Sequence, residues 1–440
     1  MTTGARIAII IAVAVVAVVG VGVALVVGGA LWFYRAVEQD HDMAMRAEVE
    51  ALREAELAEV QARHDAMQAE VQALQESVAA DARKAKEAAG AEALADAKPP
   101  GAPLPQRRTQ AIAKAVAYLT KEQAANGSWG DGNVGITALC ANALLAAGKT
   151  GTDPHVRKAL DFVTGYQQED GGIYDVGLRT YTTSIALMAL TKAHPKRYAD
   201  TVAKAKAYLI KHQWDEPESI DKNHPWYGGH GYGKRERPDL SNTQYFVEAM
   251  RQAGVPKDHP LWDKVVVFVS RTQDRSESND GTFVGTDSGG MIYSTHNGGE
   301  SKAGTVDLPD GRKGLKAYGS MTYAGFKSFI YADLDRDDPR VQAALDWIRR
   351  HWTFEENPDL GQQGLYYYYQ TVAKALSAWG EGTIRDARRR EHDWKAELTE
   401  AILRRQTPDG SWVNPADRWF EGYPPVPTSY ALLALVACQG

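Results

Sequence analysis

Cysteine is nearly missing from this 440-residue chain. Cys140 and Cys438 are the only two, and they form neither a CxxC pair nor a metal-ligand spacing. A disulfide-stapled scaffold is therefore not expected, no zinc trio is legible, and no metal or cofactor is expected. A basic excess is missing as well: the net charge is -6 and no basic face stands out, so nucleic-acid binding is not expected. Charge of either sign is missing from residues 7–34. Proline is missing from residues 36–97, where Gly90 is the only glycine. Each of these gaps marks out a zone of the chain.

The uncharged run IAIIIAVAVVAVVGVGVALVVGGALWFY (7–34) follows a short N-terminal tail (1–6) and covers 28 positions. A bilayer needs about 20 apolar residues, whereas a cleaved signal peptide has an apolar core of only about 7–15. The run reads as a transmembrane anchor, with Trp32 and Tyr34 suited to the interfacial belt. Arg6 and the amino terminus flank one side, and Arg35 followed by Glu38, Asp40 and Asp42 flanks the other. The positive-inside rule then places the N-terminus in the cytoplasm and the C-terminal body outside, as a single-pass membrane protein. Residues 36–97 are rich in Ala, Glu, Gln and Arg, which favours a helical spacer. Leu57, Val60, Met67, Val71, Leu74 and Val78 follow a 3-4 spacing, with His64 filling one seam position. That pattern fits a coiled coil pairing membrane neighbours into a homo-oligomer; many flanking positions are only Ala, which fits a single solvated helix equally well. KPPGAPLPQ (98–106) reads as a Pro-rich linker.

From residue 107 onward one pattern recurs. An Ala- and Leu-rich helix carries an aromatic and then Gln five residues later, at Tyr118/Gln123, Phe162/Gln167, Tyr208/Gln213 and Phe268/Gln273. Trp347/Trp352 keeps the spacing without Gln, and Ala401/Gln406 keeps Gln without the aromatic. A Gly-rich loop follows with an aromatic, assigned as Trp129, Tyr174, Trp226, Phe283, Tyr366 and Trp412. A second, more apolar helix comes next, with Thr183, Thr243, Thr322 and Thr428 at one repeat position and Tyr369 in the fifth copy. The first copy offers Thr137 or Cys140. Units of this kind cannot bury their own apolar faces, so they must stack on one another, and six outer and six inner helices closing into a ring leave no end to cap.

The unit Gln-x-x-x-Gly-x-Trp is clean at Gln123/Gly127/Trp129 and at Gln406/Gly410/Trp412. It resembles the QW motifs of squalene and oxidosqualene cyclases, whose wider family includes protein prenyltransferase β-subunits. The resemblance covers 107–440 and implies an all-α, (α/α)6 toroid of six helix-pair repeats. The family's reactions do not transfer with it. Class II cyclases protonate their substrate with the middle Asp of a DxDDT motif; the corresponding string here is DLSNT, Asp239 to Thr243, with Ser241 at the acid's place. Asp335-Arg336-Asp337-Asp338 looks similar, but it parallels the Asp-Pro at 153–154 and reads as a helix cap. Neither the zinc trio of prenyltransferases nor a DDxxD cluster is present.

The loops before the inner helices should gather at one rim of such a ring. There the expectation is an aromatic-lined pocket for an isoprenoid-like or other hydrophobic ligand. The residues expected to bind it are Tyr181, Tyr232, Asp239, Thr243, Tyr323, Tyr367, Tyr369, Trp419 and Glu421, with His230 and Asp239 as candidate acid–base pair. The alternative is a non-catalytic scaffold whose rim recognises a partner protein. An open, aromatic-lined interior favours the first; an interior plugged by residues 274–319 or filled by side chains favours the second.

Overall fold

The computed structural model describes residues 102–193, 196–233 and 236–439. The expected anchor at 7–34 and spacer at 36–97 lie outside the described residues. Among those described, no helix is long and apolar enough to cross a membrane. The expected linker gives way to helix early: α1 spans Leu104–Glu122, with Pro105 in its first turn, where a missing N–H leaves no partner unsatisfied.

Among the described residues twelve α-helices alternate between two kinds. The outer helices are α1, α3 (Pro154–Thr164), α5 (Ala199–Lys211), α7 (Leu261–Thr272), α9 (Pro339–Arg350) and α11 (Trp394–Leu403). The inner helices are α2 (Val134–Ala146), α4 (Arg179–Ala193), α6 (Leu240–Gln252), α8 (Gly319–Tyr331), α10 (Leu365–Trp379) and α12 (Pro425–Ala437). Outer helices bury one stripe, as α3 does with Val156, Ala159, Leu160 and Val163 at i, i+3, i+4 and i+7. Inner helices are buried on nearly every face, as in the run Thr137–Leu145 of α2. Each inner helix packs on the next, and α12 packs on α2, so the six close into a ring. Two small hairpins, β1 (Thr305–Asp307) with β2 (Lys313–Leu315) and β3 (Thr383–Arg385) with β4 (Glu391–Asp393), decorate the connections.

The repeated Gln is the stitch between units. In each case its side-chain amide donates to the loop glycine carbonyl four or more residues on and to a carbonyl of the next outer helix. Gln123 reaches Gly127 and His155, Gln167 reaches Gly171 and Thr201, and Gln213 reaches Gly228 and Leu261. Gln273 reaches Gly289 and Arg340, and Gln406 returns to Gly410 and Ala111 of α1, closing the ring. The five glycines have φ between +82° and +92°, and a Cβ on any of them would come within 1.8–2.8 Å of a backbone carbonyl oxygen of that next helix. Only glycine tolerates both conditions. In the fifth unit Trp352 substitutes for Gln by donating its indole N–H to Glu397 of α11 at 3.0 Å.

The repeated Thr ties each loop to its inner helix. Its hydroxyl accepts the N–H of Trp129 (at Thr137), Ile173 (Thr183), His230 (Thr243), Met291 (Thr322) or Trp412 (Thr428), each at 3.0–3.1 Å. This resolves the first copy in favour of Thr137. It also corrects the loop assignment: the residues equivalent to Trp129 and Trp412 are Ile173, His230 and Met291 rather than Tyr174, Trp226 and Phe283. Asp153 and Asp338 cap α3 and α9 through the N–H groups of His155 and Arg340, as the Asp-Pro reading expects.

Candidate functional site

At the N-terminal ends of the inner helices the ring encloses a cavity of about 200 Å³. That space is far larger than a single ordered water needs, by roughly an order of magnitude. All six inner helices or the loops leading into them contribute. The position two residues before the repeated Thr lines the cavity in every unit: Gly135, Tyr181, Ser241, Ser320, Tyr367 and Val426. Ile136, Leu139, Leu178, Ile185, Met321 and Tyr430 add apolar and aromatic surface, as do Trp419 and Phe420 at the mouth. Among the described residues no ionised side chain lines it.

Of the residues expected from sequence, Tyr181, Tyr232, Tyr367 and Trp419 line this cavity. The others lie elsewhere, each for a physical reason. Thr243 is a loop tie, fully buried, donating to the Asp239 carbonyl and accepting from the His230 N–H. Tyr369 holds the equivalent place in the fifth unit and donates to the Phe354 carbonyl at 2.6 Å. Tyr323 is buried on the side of α8 that meets Tyr368, ring to ring at 5.6 Å. Glu421 is buried beneath the mouth, where it accepts the Tyr367 N–H in the first turn of α10 at 2.7 Å and the Asn414 amide at 2.7 Å. The positive end of the helix attracts this carboxylate, yet burial pushes its pKa up to about 7.

His230 and Asp239 do not form an acid–base pair facing a ligand. The His230 ring takes the place of the motif tryptophan, 4.0 Å from the Phe246 ring, with neither nitrogen hydrogen-bonded among the described residues. Burial pulls its pKa down to about 3, so it is a neutral aromatic plug. Asp239 caps α6, accepting the Asn242 N–H and side-chain amide at 2.8 Å each. Burial raises it to about 6, opposed by those bonds and by the Tyr293 hydroxyl. Tyr293 shares a 2.5 Å hydrogen bond with Tyr232, and both line the cavity, so Asp239 stands one side chain behind the wall.

The residues that the sequence reading passed over are Ser241 as a wall residue, Tyr293, Tyr318, Tyr430 and the apolar positions around them. The signal was available in the repeat itself, since a fixed offset from the aligned Thr gives the wall position in all six units. Burial raises the phenols further, Tyr232 and Tyr430 to about 12 and Tyr181 and Tyr318 well beyond their ordinary value, so all remain neutral hydroxyls.

Deeper in the ring, side chains of α6, α8 and α10 meet one another. The Tyr367 hydroxyl meets Gln244, Gln244 meets Lys327, and Glu248 pairs with both Lys327, at 2.7 Å, and Lys374. Residues 274–319 do not plug the opening; they lend Tyr293 and Tyr318 to its wall. Both cysteines are buried, Cys140 beside Ser429. Among the described residues no cluster of three or more His, Cys, Asp or Glu is placed to hold a metal ion.

No curated relative matches the chain. Solved structures similar to it include the type II terpene cyclase MstE from Scytonema in its apo form, 14% identical with a TM-score of 0.48, covering 75% of this chain and 98% of that one. A variant of that cyclase in complex with geranylgeranyl dihydroxybenzoate is 13% identical with a TM-score of 0.47, covering 76% and 98%. A protein from Actinoplanes is 17% identical with a TM-score of 0.45, covering 76% and 100%. Residues 102–234 match the model of the squalene-hopene cyclase C-terminal domain. With that match and its stitched repeats, the chain resembles the squalene cyclase and prenyltransferase repeat superfamily.

Proposed function

We propose that the toroid binds an isoprenoid or another neutral hydrophobic molecule in its axial cavity. One observation carries this reading: an open space at the ring's centre is walled by apolar and aromatic side chains from all six units, with no ionised group among the described residues lining it. Burial of apolar ligand surface against such a wall is favourable by about 25 cal/mol per Å², whereas a charged ligand would be desolvated without a partner. The matching family is named for squalene, an isoprenoid hydrocarbon, which agrees with this chemistry. Acid-initiated cyclisation of the DxDDT kind has no acid at the Ser241 position, and the buried carboxyl of Asp239 reaches the wall only through Tyr293. The apolar run at 7–34 would anchor the toroid to a membrane, outside the cytoplasm, close to a source of hydrophobic molecules. A partner-binding scaffold would not need the cavity.

The test is mass spectrometry of lipids extracted from the purified full-length chain, beside an Ile136→Trp variant that fills the cavity. The expected result is a bound apolar lipid near one equivalent in the wild type, lost in a variant with unchanged helical content. A folded wild type that carries no lipid and takes up none from a supplied isoprenoid would remove the ligand reading.

A further inference from the structure

Three hydroxyls meet at one point of the cavity wall. Tyr181 donates to Ser241 at 2.5 Å, and Ser241 shares a 2.8 Å hydrogen bond with Tyr367. The Gln244 side-chain amide donates to the Tyr367 hydroxyl at 3.1 Å. The direction of this last bond is fixed from behind. The Lys327 ammonium contacts Gln244 Oε1, and an ammonium can only donate, so the amide oxygen must face the lysine and the amide N–H must face the tyrosine.

The protons in this cluster can then be counted. Tyr181 spends its hydroxyl proton on Ser241. Either Ser241 or Tyr367 supplies the proton that joins those two. The other has an O–H with no acceptor among the described residues, and both residues line the cavity. Whichever way the central bond points, one donor is left over. A buried donor without an acceptor is costly, and a ligand that brings one recovers the difference.

We propose that the Tyr181–Ser241–Tyr367 cluster is a seat for an acceptor oxygen, so that the cavity selects neutral molecules with a carbonyl or similar oxygen over hydrocarbons of the same size and over cationic heads. The proposal rests on the ligand-binding reading above. It assigns Ser241 a binding role at the position where the family resemblance would have put a proton donor. Lys327 acts at one remove, as a positioning residue that sets the polarity of the seat through Gln244.

The experiment uses the full-length chain and three probes: a linear isoprenoid methyl ketone, the hydrocarbon of the same skeleton, and the corresponding primary amine. Equimolar mixtures are equilibrated with the protein, and the retained amounts are measured by mass spectrometry. The ketone is better solvated by water than the hydrocarbon, so the retained ketone-to-hydrocarbon ratio is compared with that of a Tyr181→Phe/Ser241→Ala/Tyr367→Phe variant, which cancels the difference. One hydrogen bond predicts a wild-type ratio roughly fivefold to tenfold above the triple variant's. Tyr367→Phe alone should stay within about twofold of wild type, because Ser241 still supplies the spare proton; this variant also serves should the triple one fail to fold. Equal ratios in wild type and triple variant, a collapse in Tyr367→Phe, or an amine gain matching the ketone's would each overturn the seat while leaving the cavity reading intact. Retention of no probe by the wild type would overturn both.

Discussion

Glu421 shows how a single side chain can be both well bonded and uncomfortable. It takes the first-turn N–H of Tyr367 and the Asn414 amide, and still burial raises its carboxyl from the ordinary 4.5 to about 7. In the window between those values the folded chain holds a proton that the unfolded chain releases. Stability is therefore fullest below pH 4.5 and is lost as pH rises through 7. Replacing Glu421 by Gln removes this dependence. Relative to the variant, the wild type should lose on the order of 1–3 kcal/mol between pH 4.5 and pH 8, read as a narrowing or reversal of the gap between their denaturant midpoints. A gap that does not change with pH would show that the carboxyl is not strained. Asp239 titrates in the same sense at a lower pH, since it is raised only to about 6.

At the scale of the element, the glycine beneath each Gln stitch combines a positive φ with a close approach to the next helix. Gly228 has φ +86°, and a Cβ there would lie 1.8 Å from the Lys264 carbonyl oxygen, whereas Gly254, with φ +69°, faces open space. Gly228→Ala should cost at least about 4 kcal/mol or prevent folding, because loop and outer helix must separate. Gly254→Ala should cost only about 1 kcal/mol, from the backbone alone. Thermal denaturation of the two variants decides it, and equal losses would refute the close-approach argument. The paired helices and the stitching role of Gln were legible in the sequence because periodicity and punctuation are local. What the wall residues do was not. Thr243 and Tyr181 sit two positions apart in register, yet one faces a loop and the other faces the cavity, and that choice depends on how six helices turn about a common axis. Glu421 and His230 were misread for a related reason: a polar side chain in a rim loop looks available until the neighbouring unit covers it.

For the whole molecule, α6 and α10 stand two places apart in the ring, and side chains join them across the interior. Glu248 of α6 takes the Lys327 ammonium of α8 and the Lys374 ammonium of α10. Burial pulls both lysines down to about 7, and for Lys374 the Lys192 charge pulls in the same direction. Glu248→Gln would leave two buried ammoniums with no counter-charge, and a loss of about 3–5 kcal/mol is expected. That loss should be fullest below pH 7 and shrink as pH rises through about 7, where the folded chains shed these protons; a gap between wild type and variant that does not change with pH would argue against the brace. The ring closes through Gln406 and the Ala111 carbonyl, partners 295 residues apart in the chain, and the cavity wall is incomplete without Val426 and Tyr430 of the last helix. A ribosome making this protein therefore releases five-sixths of a circle before the sixth arc can shut it. Until then every inner helix at the open ends shows water a face meant for a neighbour. The slow event in its folding should be this final meeting of first and last arcs, and a chain cut short before it would have no interior at all.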